Sequence, residues 1–379
     1  MNKFNFLVDG ARSTGKFVDI KSPFDGEVVG QVEQCDETTL EKALSNASHS
    51  FEAAMKEMPA YKRAEILYKV AELIHQNHEE LALTIAQEGG KPLKDARVEV
   101  SRAINTTKMC GDEALLLGGG ETISMDRAPG SENQLAFTMR LPVGPVLCIS
   151  AFNHPLNLAC HQICPAIAAG NSVVFKPASQ TPISALKLAS YFAEAGLPQG
   201  ALNLVVCKGS QAEQLLQDAR IRFVSFIGSA AVGWTIPKQV APGVRYALEH
   251  GGTAPAIVHH DADLLQAVPS LTKGAFYHAG QVCVSTQLIY AHELIFDQLL
   301  EQLRASAQQL KTGDPTDPDT DVGPIISKAD LKRIEQSVQE AVQKGARAII
   351  GARCLSASLY APTILVDTDA SMSVVNEEI

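Results

Sequence analysis

What this 379-residue chain lacks narrows it first. No run of apolar residues is long enough to span a bilayer, and Met1-Asn2-Lys3-Phe4-Asn5 opens without a signal-peptide core, so no membrane partner is expected and a cytoplasmic location is. Positive charge is short: 32 Lys and Arg against 42 Asp and Glu leave a formal charge of −10, which argues against the concentrated basic surface a nucleic-acid partner needs. Disulfide density is missing, since the eight cysteines are scattered over the whole length, and reduced thiols are expected. The one close pair, Cys160 and Cys164 beside His161, has no second ligand pair near it and lies in an otherwise apolar segment. It reads as helix interior, and no metal is expected.

What is present is an ordinary globular composition, 46% hydrophobic and 20% charged, in a chain long enough for two or more domains. From Phe6 to about Val32 apolar and polar positions alternate around Asp9-Gly10 and Asp25-Gly26, which predicts a small antiparallel sheet. From Asp36 to about Gln87 the period becomes helical, with Asp36 or Thr38 as a cap and Pro59 near the start of a second helix. A further helix is predicted from about Pro92 to Leu117, stopped by Gly118-Gly119-Gly120. Ser124 to Leu141 reads as extended and rather polar, with a turn at Gly130, and is assigned to subunit contacts because such an arm has little core of its own. Strands at Val146–Ser150, Ser172–Phe175, Leu202–Val206 and Phe223–Ile227 then alternate with helices at Leu156–Ala168, Ile183–Ala195 and Gln211–Gln217. This alternation predicts a doubly wound parallel sheet, which binds ligands beyond the carboxyl ends of its strands.

The chemistry-bearing stretches fall near those ends. Cys283, in Tyr277-His278-Ala279-Gly280-Gln281-Val282-Cys283-Val284-Ser285, is placed to offer a thiol into a cleft, and a thiol needs a base or a nearby charge to become a nucleophile. Glu249, after an apolar run and before Gly251-Gly252, is the candidate base. Asn153, in Phe152-Asn153-His154-Pro155, can donate to an oxygen that gains charge, although an ordinary turn asparagine before proline satisfies the same pattern. Gly228-Ser229 opens a helix whose free N–H groups suit a pyrophosphate, without being a Gly-x-Gly-x-x-Gly fingerprint. Lys176-Pro177-Ala178-Ser179 offers an ammonium and a hydroxyl to an adenosine ribose or its phosphate; a solvated surface lysine is the alternative.

Together with Pro165-Ala166-Ile167-Ala168-Ala169-Gly170-Asn171, Glu194-Ala195-Gly196-Leu197-Pro198 and the closing Glu377-Glu378-Ile379, these segments resemble the aldehyde dehydrogenase superfamily over nearly the whole chain. The resemblance implies an α/β fold: a doubly wound NAD(P)-binding domain at 1–123 and 143–251, a small β oligomerisation arm at 124–142, and an α/β catalytic domain at 252–379. It implies a cytoplasmic homodimer or homotetramer. It also implies that Cys283 attacks an aldehyde, that Asn153 and the Cys283 N–H hold the oxyanion, and that Glu249 activates water to release a carboxylic acid. Ser150, Phe152, Lys176, Lys208, Gly228, Ser229 and Glu378 would contact the dinucleotide. Ser179 stands where NAD-preferring members carry a glutamate, so the expected cofactor is NADP or NAD, with NADP at least tolerated. His154, Leu158 and His161, read as one helix face, with Val282 and Lys108, suggest a channel for a short polar or anionic aldehyde. The family's chain continues past Glu377-Glu378-Ile379, so a C-terminally truncated piece, unstable or inactive alone, is expected. A catalytically silent binding protein on the same fold and a cofactor-independent thiol hydrolase are the alternatives.

Overall fold

The computed structural model describes residues 2–379. A three-stranded sheet opens the chain, formed by β1 (Lys3–Phe4), β2 (Phe17–Lys21) and β3 (Val28–Glu33). The pair β2–β3 is antiparallel as predicted, but β1 runs parallel to β3, so the sheet is mixed. The cause is the segment after β1: Leu7 pairs with Leu204 of the main sheet, so the turn at Asp9-Gly10 is not a hairpin between neighbours.

Helices follow at α1 (Glu37–Ser50), α2 (Ala60–Gln76), α3 (His78–Gly89) and α4 (Leu93–Leu116). The Asp36 carboxylate accepts from the Thr39 N–H, the expected cap, and Pro59 precedes α2. A π-helical stretch, Phe51–Met55, extends α1, and α3 is a separate helix that the apolar period alone did not divide from α2. Two short antiparallel strands, β4 (Thr122–Ile123) and β5 (Ala136–Phe137), form the arm. Its polar reading is corrected by the structure: Leu135, Phe137, Met139 and Leu141, spaced two apart, are all exposed, which is one apolar strand face turned outward. The expectation of subunit contacts therefore rests on apolar surface.

The central sheet is five-stranded and wholly parallel. Its strands are β6 (Val146–Ile149), β7 (Val173–Lys176), β8 (Leu202–Leu204), β9 (Phe223–Gly228) and β10 (Arg245–His250), in the order β10-β9-β6-β7-β8. Crossover helices are α5 (Asn157–Ala168), α6 (Ile183–Glu194), α7 (Gly209–Leu216) and the single turn α8 (Ala230–Gly233). The chain winds outward from β6 to β8, then returns to place β9 on the other side of β6, so the order reverses between β6 and β9.

Two of these helices begin on residues that cannot cap them, Leu156 and Pro182, and carboxylates from neighbouring helices do it instead. Glu99 of α4 accepts from Leu156 N at 3.0 Å and Asn157 N at 3.1 Å, and Glu88 of α3 accepts from Ile183 N at 2.7 Å and Ser184 N at 3.0 Å. Both glutamates are fully buried.

Beyond residue 251 come β11 (Ala256–Val258), α9 (Leu264–Phe276), β12 (Ile289–Ala291), α10 (Phe296–Gln308), α11 (Lys328–Gln343), β13 (Arg347–Ile350), β14 (Ile364–Val366) and α12 (Ser373–Asn376). Their buried apolar side chains form clusters of their own, centred on Val258, Leu264, Val268, Leu299 and Leu303 and on Leu331, Val338 and Tyr360.

Candidate active site

The sheet order lines up the predicted residues. At the carboxyl ends, Glu249 leaves β10, Gly228 and Ser229 leave β9, Ser150 and Asn153 follow β6, Lys176 and Ser179 follow β7, and Lys208 follows β8. Adjacent strands lie about 4.8 Å apart, so this row extends over about 19 Å. An extended dinucleotide has that reach.

At the β7 end Lys176 is buried, 7% exposed, which removes the reading of a solvated surface lysine. Its Nζ donates to Pro177 O at 3.2 Å, and burial holds the ammonium below the usual lysine range. The Ser150 hydroxyl, one strand over, is buried with no hydrogen-bond partner among the described residues. A donor and a hydroxyl left in this condition fit a polar ligand better than they fit each other. Ser179 and Lys208 are exposed at the same rim, and Lys208 shares a cleft of 510 Å³ with Lys16, Asp36, Thr38 and Gln211. Gly228-Ser229 leads into α8, but that helix is only four residues long, so the contact predicted there rests on individual N–H groups more than on a helix dipole.

The Cys283 turn is built with strain and then fastened. His278, Ala279 and Gly280 all have positive φ, at 50°, 56° and 78°. Only the glycine adopts this freely; each of the others costs about 1–2 kcal/mol. The Gln281 side chain brackets the turn, its Nε2 donating to His278 O and Pro324 O, both at 3.2 Å, and its Oε1 accepting from Ile326 N at 2.8 Å. Asn153 Nδ2 donates to Gln281 O at 2.9 Å, which ties the predicted oxyanion donor to the turn two residues before the thiol. Val282 and Ser285 are buried on either side, so Val282 anchors the turn, while Cys283 itself is exposed.

Glu249 reaches the same place along its own chain. It is exposed at the end of β10, beside Ile227, and the glycines after it thread a narrow gap. A Cβ on Gly251 would lie 1.9 Å from the Glu378 carboxylate, and one on Gly252 would lie 3.5 Å from the Cys283 carbonyl. Through these two glycines the chain that leaves Glu249 passes the Glu378 carboxylate and the Cys283 backbone. His250 packs against Trp234, ring centres 4.9 Å apart, and fills space beside Gly233.

Behind Asn153 lies a buried polar group of which the sequence reading named only His154. Lys91 and Glu99 form an ion pair with essentially no exposure. Glu99 also caps α5 just after Asn153, while Lys91 Nζ sits 5.9 Å from the centre of the Tyr277 ring. Tyr277 in turn stacks on His154 at 6.0 Å. His154 is therefore not on the α5 face with Leu158 and His161: it lies in the turn before the helix, buried, although the Leu158 N–H still donates to its carbonyl at 2.9 Å. His161 is exposed and meets Thr106 at 3.4 Å. The α4 cation whose charge acts on both rings is Arg102. Lys108 sits two residues past Thr106, about 200° around the helix, and points elsewhere. Cys160 and Cys164 are buried against α4, as expected of helix interior.

Burial, with the nearby Lys91 ammonium, pushes the His154 and His278 imidazoles well below the ordinary histidine range, and both His278 nitrogens lack a partner among the described residues. The unfolded chain then binds protons below about pH 6.5 that the folded chain refuses, so stability is lost on acidification by about 1.4 kcal/mol per pH unit for each ring. Thermal melts between pH 7.5 and 5 are expected to show this decline, and His278→Phe to flatten it. An equal slope in that variant would contradict the assignment.

A cavity of 740 Å³ lies behind the Cys283 turn, lined by apolar residues including Leu271, Phe276, Leu299, Ile334 and Tyr360. None of Cys283, Asn153 and Glu249 lines it, so the chemistry belongs to the strand-end row.

The sequence profile of the aldehyde dehydrogenase family matches residues 10–379. The chain is 37% identical over 382 residues to a 3-sulfolactaldehyde dehydrogenase of Priestia megaterium, covering all of this chain and 79% of that one. Among solved structures it superposes on aldehyde dehydrogenase 21 of Physcomitrella patens, in complex with its reaction product succinate, with a TM-score of 0.95 at 34% identity, over 100% of this chain and 78% of that one. The glyceraldehyde-3-phosphate dehydrogenase of Methanocaldococcus jannaschii, complexed with NADP, gives a TM-score of 0.90 at 36% identity over 97% and 78%. A thiol on a fastened turn, an amide tied to that turn, a carboxylate at a strand end and a doubly wound sheet stand here in a chain that belongs to the aldehyde dehydrogenase family.

Proposed function

We propose that this protein oxidises a short aldehyde bearing an anionic group to the carboxylic acid, with NADP or NAD as the hydride acceptor. The observation that carries the anionic part is that the charge of Arg102, exposed on α4, acts on both imidazoles near Asn153, that of His154 just before α5 and that of His161 on it. A guanidinium backed by uncharged imidazoles and with no carboxylate partner of its own among the described ion pairs attracts a carboxylate, sulfonate or phosphate. Relatives that act on 3-sulfolactaldehyde, yield succinate or take glyceraldehyde 3-phosphate support the same class.

In this reading the Cys283 thiolate adds to the carbonyl carbon, and the second N–H of Asn153 Nδ2, whose first is held by Gln281 O, meets the oxyanion. The bound dinucleotide would supply the hydride acceptor that takes the Cys283 adduct to the oxidation level of a thioester. Glu249, exposed and so in contact with water, takes a proton from the attacking water as the C–S bond breaks, returning acid and thiol. Lys176, Ser150 and the N–H groups near Phe152, Gly228 and Ser229 hold the rest of the dinucleotide, with Glu378 near its nicotinamide ribose.

The test of the substrate class is Arg102→Ala assayed on paired aldehydes. Its kcat/KM for succinic semialdehyde is expected to fall about 10- to 100-fold, the value of one charged hydrogen-bond partner, with propionaldehyde changed less than about threefold. Equal losses on both would sink the reading. For the cofactor, Ser179→Glu is expected to cut kcat/KM for NADP at least about tenfold and leave NAD working, because a carboxylate repels a 2′-phosphate. Unchanged NADP use would place the 2′-phosphate elsewhere.

A further inference from the structure

One cluster of ligating side chains belongs to neither the strand-end row nor the Arg102 face. The parallel strands β11 and β12 end side by side, Val258 opposite Ala291, with the His292 N–H donating to Val258 O at 2.9 Å. Three imidazoles emerge there. His259 and His260 follow β11 directly, their ring centres 4.2 Å apart, and His292 follows β12, 5.4 Å from the first and 5.1 Å from the second. Asp261 completes the turn, its Oδ1 2.8 Å from His259 Nδ1. One ligating atom each from His259, His260 and Asp261 lie within 4.8 Å of one another, and all three residues are exposed.

We infer that His259, His260 and Asp261 form a surface site for a divalent transition-metal ion of zinc or copper type. Two imidazole nitrogens and one carboxylate oxygen are a donor set for these borderline ions, whereas magnesium and calcium require oxygen donors that this turn does not provide in number. Side chains free in solvent close the remaining gap to bonding distance by rotamer changes, and water fills the open positions. His292 is a neighbour and not a ligand. Its Nδ1 already accepts the Leu294 N–H at 3.2 Å, so the proton of its neutral ring sits on Nε2 and neither nitrogen is free. Asp261 has a second use as well: in the absence of an ion it orients His259 and leaves the other ring nitrogen facing out.

The set lies in the last third of the chain, at the carboxyl ends of β11 and β12, which begin after Gly252 and Cys283 in sequence, so it is peripheral to the thiol chemistry. Because Cys283 and Cys354 are exposed thiols and thiolates ligate zinc, the experiment is done in a Cys283→Ser/Cys354→Ser background. Calorimetric titration with zinc chloride, and with copper and nickel salts in a non-chelating buffer, is expected to give one ion per chain with copper tightest, as the Irving–Williams order requires. His259→Ala and His260→Ala should each weaken zinc at least about tenfold, Asp261→Asn by less, and His292→Ala by less than about threefold. Magnesium should not compete. Binding that survives in the His259→Ala/His260→Ala double variant, or that magnesium displaces, overturns the assignment, as does a His292→Ala loss equal to that of His260→Ala. A copper-loaded sample gives an independent readout, since nitrogen hyperfine structure in its electron paramagnetic resonance spectrum counts two bound imidazoles if the site is as assigned and none if it is not.

Discussion

Cys283→Ala is expected to lower kcat/KM for aldehyde oxidation by at least about four orders of magnitude while leaving dinucleotide affinity within about twofold. The two halves of that outcome come from separate parts of the structure. The thiol stands exposed on a turn held by Gln281, Val282 and Ser285, and removing one sulfur from an exposed position disturbs none of those contacts. Lys176, Ser150 and Ser179, the residues proposed to hold the dinucleotide, lie at the ends of other strands and are untouched. Activity should therefore vanish in a protein that still melts near its normal temperature and still takes up cofactor. Cys160 and Cys164 act as internal controls: both are buried in α5, where burial pushes the Cys164 thiol well above its ordinary range, so their replacement by alanine or serine costs stability and not the covalent step. An alanine at 283 that oxidised its substrate at near-normal rate would remove the nucleophile from the account.

The second large effect is expected far from any reacting atom. Lys91→Met leaves Glu99 buried with its charge matched only by two backbone N–H groups, and breaking one side of a buried pair costs about 3–5 kcal/mol. That is a large fraction of the roughly 5–15 kcal/mol by which domains are stable, so the melting temperature should drop sharply. Glu99 also fixes the start of α5, four residues after Asn153, so a positioning role predicts more than lost stability. In folded Lys91→Met protein kcat should fall about 100-fold with KM for the dinucleotide nearly unchanged, because a displacement of about 1 Å at a donor is worth that much. The double variant Lys91→Met/Glu99→Met separates the two roles. It should regain stability, since no buried charge is left alone, and should not regain kcat, since the α5 N–H groups have lost their acceptor. Full recovery of kcat in the double variant would reduce the pair to scaffolding.

Much of this site was legible in the sequence, for reasons that can be named. Cys283, Glu249 and Asn153 each sit where an apolar strand or helix period stops at a glycine, proline or serine, and such stops mark strand ends, where a parallel sheet exposes side chains. The crossover elements between Val146 and Gly228 were legible for the same reason, within a residue or two at most ends. What stayed hidden depends on contacts across the chain. Lys91, between Gly90 and Pro92, has the look of a surface loop lysine, and only the fold brings it to Glu99 and Tyr277. Glu88 and Glu99 look like solvated helix residues until the helices they cap arrive from elsewhere. The sequence offers Lys108 as readily as Arg102, because a helix of 24 residues presents every direction and the sequence alone does not say which one faces α5. The segment from Ser124 to Leu141 reads as polar because its charged residues fill the loop, while its apolar ones alternate from Leu135 to Leu141.

The central claim is covalent capture at one sulfur, and mass spectrometry reads it directly. Protein mixed with NADP and succinic semialdehyde and quenched in acid within milliseconds should carry one added acyl mass, located by peptide mapping at Cys283. Glu249→Gln is expected to slow hydrolysis and so to raise the trapped fraction severalfold. Reduced cofactor forming with no acyl mass on Cys283 in either protein, or with the mass on another cysteine, would contradict the account.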